Sequence, residues 1–226
     1  MKTFAFIFAR GGSIRIKNKN MKLLAGKPLI YYSINIAKKI KEIDKIYVST
    51  DSIKIANYAK KLGADIINRP KKLATKTSNE LLSWKHSLKF LEKKGIRFDK
   101  FLSLPCTAPL RSKSDVNQCL KKLKKGRDIV LTACSYEANS PFLTKLKKSK
   151  DGEYYIVKNK KKVSGPNVFT LTTVAYVTTP EYIMRTKSVT GGKVLIVKVP
   201  KERAVDVNDH LDFNFAEYLM KRKKWI

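Results

Sequence analysis

The chain has 226 residues, 43% of them hydrophobic, enough to bury one full core; its 49 Lys and Arg against 18 Asp and Glu give a formal charge of +31. No apolar run approaches the roughly 20 residues a membrane span needs, and Met1-Lys2 leads directly into a short strand-like run with no cleavage region, so a cytoplasmic, single-domain protein is expected. Cys106, Cys119 and Cys134 are odd in number and widely spaced, which fits neither a disulfide framework nor a zinc site. A charge of this size also fits nucleic acid or an anionic membrane, and a basic nucleic-acid-binding protein is the rival of another class. The excess, however, is lysine spread along helix ends and loops, as in Lys121–Lys125, Lys158–Lys162 and Lys221–Lys224. Solvated lysine faces account for it, and no RNA-recognition aromatic motif or zinc finger accompanies it.

In chain order, the apolar run Phe4–Phe8 predicts a buried strand that breaks at Gly11-Gly12 into a loop carrying Arg10, Arg15, Lys17 and Lys19 with Asn18 and Asn20. Such a loop suits a polyphosphate. Glycines allow backbone N–H groups close to an anion, and the cations add charge-assisted donors; the spacing matches neither a Walker A loop nor G-x-G-x-x-G. Pro28 opens a helix whose face continues through Ile30, Ile34 and Ala37. A strand at Lys45–Ser49, a helix at Ser52–Leu62, a strand at Ala64–Ile67, a helix at Asn79–Lys94 carrying Leu81, Leu82, Leu88 and Phe90, and a strand at Asp99–Leu104 follow. Pro105 and Pro109 then bracket a rigid turn that cannot continue a sheet.

A helix at Lys113–Lys124 and a strand at Ile129–Ala133 complete an alternation that argues for an α/β fold with a mostly parallel sheet. Glu153–Lys158 and Thr172–Thr178 read as a hairpin with a Lys-rich connection. Val194–Val199 returns to strand, and Asp209–Lys221 is a final helix with Leu211, Phe215 and Leu219 on one face. Asp206, after that strand and the apolar Val205, is the best metal-ligand candidate, because a carboxylate there can face a strand-end crevice; capping of the last helix is the structural alternative. His86 and His210 have no visible partner and no assigned role.

The segments Ala9-Arg10-Gly11-Gly12-Ser13 with Lys19-Asn20, Val48-Ser49-Thr50-Asp51, Asn68-Arg69-Pro70, Leu104 to Arg111 and Val205-Asp206-Val207-Asn208 together resemble the acylneuraminate cytidylyltransferases across nearly the whole chain. The resemblance implies a three-layer, Rossmann-like nucleotide-diphospho-sugar transferase fold over residues 1–226, with a β excursion at about 137–180 that reaches across a homodimer. It implies Mg²⁺ as cofactor, and CTP and a sialic or related nonulosonic acid as substrates; 3-deoxy-manno-octulosonate is the alternative within the class. Arg10, Lys19 and Asp206 would be catalytic, with Asp206 and Asn208 at the metal. Ala9, Gly11, Gly12, Ser13, Arg15, Asn20 and Arg69 would contact the nucleotide, and Thr107 and Arg111 the acceptor, with Arg111 pairing with its carboxylate. Departures from the family pattern are Ile14 where many members carry lysine, Asn208 in place of a second aspartate, so that Asp209 or Asp212 would assist at the metal, and Thr170-Leu171-Thr172-Thr173 in place of an Arg-Pro-Asn-Gly run.

Overall fold

A computed structural model of the protein describes residues 1–75, 78–135, 143–148, 153–157 and 168–223. The amino-terminal apolar run forms β1 (Thr3–Phe8), buried on both faces as a central parallel strand requires. After the basic loop, β2 (Leu23–Leu24) and β3 (Lys27–Pro28) make a small antiparallel pair. Ala25 and Gly26 between them both take positive φ, the conformation that a two-residue hairpin of matching twist demands. α1 (Leu29–Lys38) follows directly on Pro28.

The next units are β4 (Lys45–Thr50), α2 (Ile53–Lys61) and β5 (Asp65–Asn68), then α3 (Glu80–Glu92) and β6 (Lys100–Ser103). Short polar caps start these helices: Ser52 Oγ accepts from Ile55 N–H at 3.4 Å and Asn79 Oδ1 from Leu81 N–H at 2.9 Å. α4 (Lys113–Lys122) begins in a reciprocal capping box of Ser112 and Asp115. The remaining elements are β7 (Ile129–Ser135), β8 (Leu143–Lys148), β9 (Tyr154–Val157), β10 (Val168–Thr178), α5 (Pro180–Arg185), β11 (Val194–Lys198) and α6 (His210–Lys223). The six-residue α5, with Thr179 as its cap, is too short for its periodicity to stand out in the sequence.

The sheet runs β5-β4-β1-β6-β10-β7-β11-β9-β8. Among its first seven strands β10 alone runs against the others, so the α/β, mostly parallel architecture is as expected. The hairpin expected between Glu153–Lys158 and Thr172–Thr178 is not formed. Instead β9 pairs with β8 and β11, and β10 lies in the main sheet between β6 and β7, because Val174, Ala175 and Val177 are wholly buried there. β10 shifts register between Thr172 and Val177; its amino half also pairs with β8, which closes β10, β7, β11, β9 and β8 into a ring of pairings within one chain. The rest of the excursion, including the Lys158–Lys162 run, falls outside the described residues.

One apolar layer packs Ile30, Ile34, Ile55 and Val116 onto one face of the sheet, and the other packs Trp84, Leu88 and Ile183 onto Phe6 and Phe101. A third cluster seats α6 over Leu24, Leu29 and Tyr32. There the expected stripe holds at Leu219, which packs against the cluster, and is otherwise corrected: Phe213, Ala216 and Met220 are buried, whereas Leu211 and Phe215 are 78% and 51% exposed. Helical spacing permits both stripes, and the neighbouring surface selects one. In α3, likewise, Leu82 faces outward while Trp84 and Leu91 fill the core. The three cysteines are free and buried, and no helix among the described residues is long and apolar enough to cross a membrane.

Candidate active site

The site begins where β1 ends. Ala9 N–H donates to Ser49 O at 3.1 Å, extending the β1–β4 pairing by one residue before the loop departs. Gly11 N–H donates to Asp51 Oδ1 at 2.8 Å, and a Cβ on Gly11 would stand 3.0 Å from Ser52 Cβ. Glycine is therefore favoured there by close approach to the start of α2, where any side chain would push Ser52 aside; neither Gly11 nor Gly12 takes positive φ. Ser13 N–H turns back to Gly11 O at 3.0 Å. The expected N–H cradle is thus narrower: the Gly11 and Ser13 amides are used inside the protein, and what remains at the loop is open space around Gly12 and the Ser13 hydroxyl. Asn20 is buried and its Nδ2 donates to Arg10 O at 3.0 Å, so it braces the loop from within.

Lys19 joins this loop to two distant ones. Its Nζ donates to Val207 O at 2.7 Å, and Val207 N–H donates to Thr107 O, also at 2.7 Å. Burial holds the Lys19 amine below the usual lysine range, with Asp206 acting against that shift. Asp206 is half-buried: its Oδ1 accepts from Thr173 Oγ1 at 2.9 Å and its Oδ2 from Asn208 Nδ2 at 2.8 Å. It does not cap the last helix. That task falls to Asp209, which accepts from Asp212 N–H, and to Asp212, which accepts from Asn208 and Asp209 N–H. Asn208 lines the cleft, but its amide nitrogen is spent orienting Asp206. Among the described residues no cluster of three or more His, Cys, Asp or Glu could hold a metal ion. A single carboxylate held by two donors nonetheless fits a magnesium ion, which takes one or two protein carboxylates and completes its shell with phosphates and water.

The loops enclose a cleft of about 460 Å³ at the carboxyl ends of the central strands. Arg10, Ser13, Arg15, Lys19 and Asn20 line it from the amino loop, Arg69 from the end of β5, and Thr107 from the turn after β6. Arg69 is buried, donates from Nε and Nη2 to Ser49 Oγ and O at 3.2 and 2.6 Å, and lies over the Phe8 ring at 5.5 Å. Burial lowers its pKa, and the Asp51 charge opposes that.

Arg111 requires a correction. It is only 5% exposed and lies behind the wall, donating to Ser33 Oγ at 2.7 Å and to Pro105 O, and burial lowers its pKa to about 10. Its guanidinium braces the turn from inside, so the bidentate contact with an acceptor carboxylate is not open to it. Sequence reasoning missed Phe8, Glu80 and Ser83, which also line the cleft. Phe8 was hidden as the last residue of a strand, and Glu80 and Ser83 as the first turn of a helix whose cap gave no hint that it faced a ligand.

The model of the cytidylyltransferase family matches residues 4–190. A post-translational flagellin modification protein B of Campylobacter coli is 31% identical, covering 96% of this chain and 94% of its own length. A CMP-N,N'-diacetyllegionaminic acid synthase of Legionella pneumophila is 30% identical over 98% of this chain and 97% of its own. An N-acylneuraminate cytidylyltransferase of Escherichia coli is 26% identical over 98% of this chain, which spans 53% of that longer protein. The solved structure of a CMP:2-keto-3-deoxy-manno-octonic acid synthetase complexed with CTP superimposes with a TM-score of 0.78 over 99% of this chain and 100% of that one; at 13% identity it shares the fold. The chain belongs to the cytidylyltransferase family.

Proposed function

We propose that this cytidylyltransferase transfers CMP from CTP to the anomeric hydroxyl of a nonulosonic acid and releases pyrophosphate. The observation that carries the reading is the convergence of Arg10, Arg15, Lys19 and Arg69 on one strand-end cleft that also meets the Asp206 loop. Relatives aligned along nearly their whole length are named for such acids, whereas a 3-deoxy-manno-octulosonate cytidylyltransferase of Hydrogenovibrio crunogenus aligns over only 31% of this chain, which favours the nonulosonic class.

The anomeric oxygen attacks the α-phosphorus as its hydroxyl proton passes to solvent, the bond to the bridging oxygen breaks, and the leaving pyrophosphate takes the electron pair. Arg10, Arg15 and Lys19 hold the phosphates and neutralise the charge that accumulates on the leaving group, where preorganised cations count most. Lys19 also ties the amino loop to the Asp206 loop through Val207 O. Asp206, held by Thr173 and Asn208, is the residue that would bind magnesium, which when bound supplies positive charge at the phosphates. The reaction belongs in the cytoplasm, where CTP is available, and we assign a two-fold dimer in which residues near β8 and β9 complete the partner's acceptor site. A monomer with full activity in light scattering and assay would contradict that assignment.

The test is pyrophosphate release over a grid of CTP, UTP, ATP and GTP against sialic, legionaminic, pseudaminic and 3-deoxy-octulosonic acids. The reading expects release with CTP and a nine-carbon acid. Release with another nucleotide alone, or with the octulosonate alone, would overturn it.

A further inference from the structure

Among the buried residues of β7, 129–134, Thr132 alone is an alcohol. It lies on the same face as Val130 and Cys134, which pack in the apolar layer, so an apolar side chain would be the default there. Its hydroxyl is used to capacity. It donates to Thr172 O at 3.2 Å, and accepts from Thr172 Oγ1 at 2.7 Å and from Ala175 N–H at 3.4 Å. These partners lie within an irregularity of β10: Thr172 stands opposite Thr132 and Val177 opposite Val130, so the four residues 173–176 face the single Leu131. None of the four is a glycine and none takes positive φ. The extra length is therefore held by the Thr132 hydroxyl that bridges it and not by a permissive backbone. Thr173, the first residue of the excess and enclosed between the two bridged positions, is the one that donates to Asp206 Oδ1.

Bulges beside active sites re-aim a side chain, and a buried hydroxyl with all its bonds made fixes one arrangement among several. A valine at 132 would fill the same space but leave Ala175 N–H and the Thr172 hydroxyl without a partner, free to settle elsewhere. We propose that Thr132 is a positioning residue: its hydroxyl fixes residues 172–175 so that Thr173 is held against Asp206, and the carboxylate is thereby kept ready for a divalent cation. This rests on the reading of Asp206 as the residue that binds magnesium.

The experiment uses Thr132→Val, which keeps the shape and removes the hydroxyl, and Thr132→Ser, which keeps the hydroxyl and removes the methyl, each with and without Thr173→Val. The readout is the affinity for the Mn²⁺–CTP complex, followed by water proton relaxation, divided by the affinity for CTP in EDTA, from titration calorimetry. That ratio isolates what the cation adds. Urea unfolding is measured in parallel. Thr173→Val and Thr132→Val should each lower the ratio about tenfold, the low end for the outer hydrogen-bond partners of a metal-binding group. In the Thr173→Val background, Thr132→Val should lower it further by about twofold or less. Thr132→Ser should lower the urea midpoint yet keep the ratio within about twofold of the natural protein. A ratio that follows the urea midpoint across the variants, or an equal loss in both backgrounds, would overturn the inference alone. So would failure of Thr132→Val to fold, which would place these bonds in the fold and not in the site. A ratio that Asp206→Asn leaves unchanged would overturn the reading of Asp206, and the inference with it.

Discussion

The two halves of the sheet build their sides of the cleft differently. In the amino half β1, β4, β5 and β6 follow one another through helices, and each presents its contribution just past its carboxyl end: Arg10, Asp51, Arg69 and Pro105. In the carboxyl half β10 runs backwards and changes register, and Thr173, from the shifted stretch, reaches Asp206 on the loop after β11. The amino half positions its groups by alternation that repeats along the chain. The carboxyl half positions its one carboxylate by contacts between residues 33 apart, so it depends on the whole sheet being assembled.

The comparison breaks most sharply at Asp206. Asp206→Asn keeps the shape that Thr173 and Asn208 hold but removes the charge, and turnover at saturating magnesium should fall by about a hundredfold or more, the scale for one electrostatic stabiliser. Near-normal turnover would show that the carboxyl half supplies only scaffold.

Next in size is the contrast between two buried arginines. Arg69 reaches the cleft, whereas Arg111 lies behind it. Arg111→Met leaves the Ser33 hydroxyl and the Pro105 carbonyl without their donor, a loss of about 1–3 kcal/mol read by urea unfolding. CTP affinity of the folded variant should remain unchanged. A large loss of CTP affinity with normal stability would return Arg111 to the cleft.

These contrasts mark what could be read from the residues. Strand and helix alternation through β7 was legible because apolar runs, caps and the two prolines recur at fixed offsets; Ser52, Asn79 and Ser112 start their helices as short polar side chains do. The basic loop and Arg69 were legible for the same reason, as strand-end residues. The direction of β10 was not, since a strand's sequence carries its face but not its partner. Nor was the place of Arg111: six residues after Pro105, its guanidinium folds back to Pro105 O through a turn whose path no periodicity encodes. The stripe that α6 buries was equally hidden, because Leu211 and Phe213 offer apolar faces of similar strength.

A smaller change sharpens the amino half. Ile14 is 67% exposed and lines the cleft beside Arg15, so Ile14→Lys adds a cation where phosphates are expected. CTP binding should tighten about tenfold in titration calorimetry. Arg15→Ala should cost more in the natural background than in Ile14→Lys, and no effect of either change would leave the phosphates to Arg10 and Lys19.

The smallest expected effect is a pH dependence. The lowered Lys19 pKa means that its charge is lost, as pH rises, before that of an ordinary lysine at 10.5. Affinity for CTP should therefore decline on the alkaline side, and Lys19→Met should remove that part of the decline while weakening binding at neutral pH. An identical alkaline profile in Lys19→Met would assign the titration elsewhere.

The central claim is that the cationic amino loop and the Asp206 loop serve one displacement at the α-phosphorus. Phosphorus-31 NMR of the natural protein with CTP, magnesium and an acylated nonulosonic acid follows that bond directly. The account predicts that the three CTP resonances give way to one phosphodiester signal and one pyrophosphate signal of twice its intensity, as equimolar products require, and only when the sugar acid is present. Conversion to CDP and inorganic phosphate, or loss of CTP that is indifferent to the sugar acid, would contradict it.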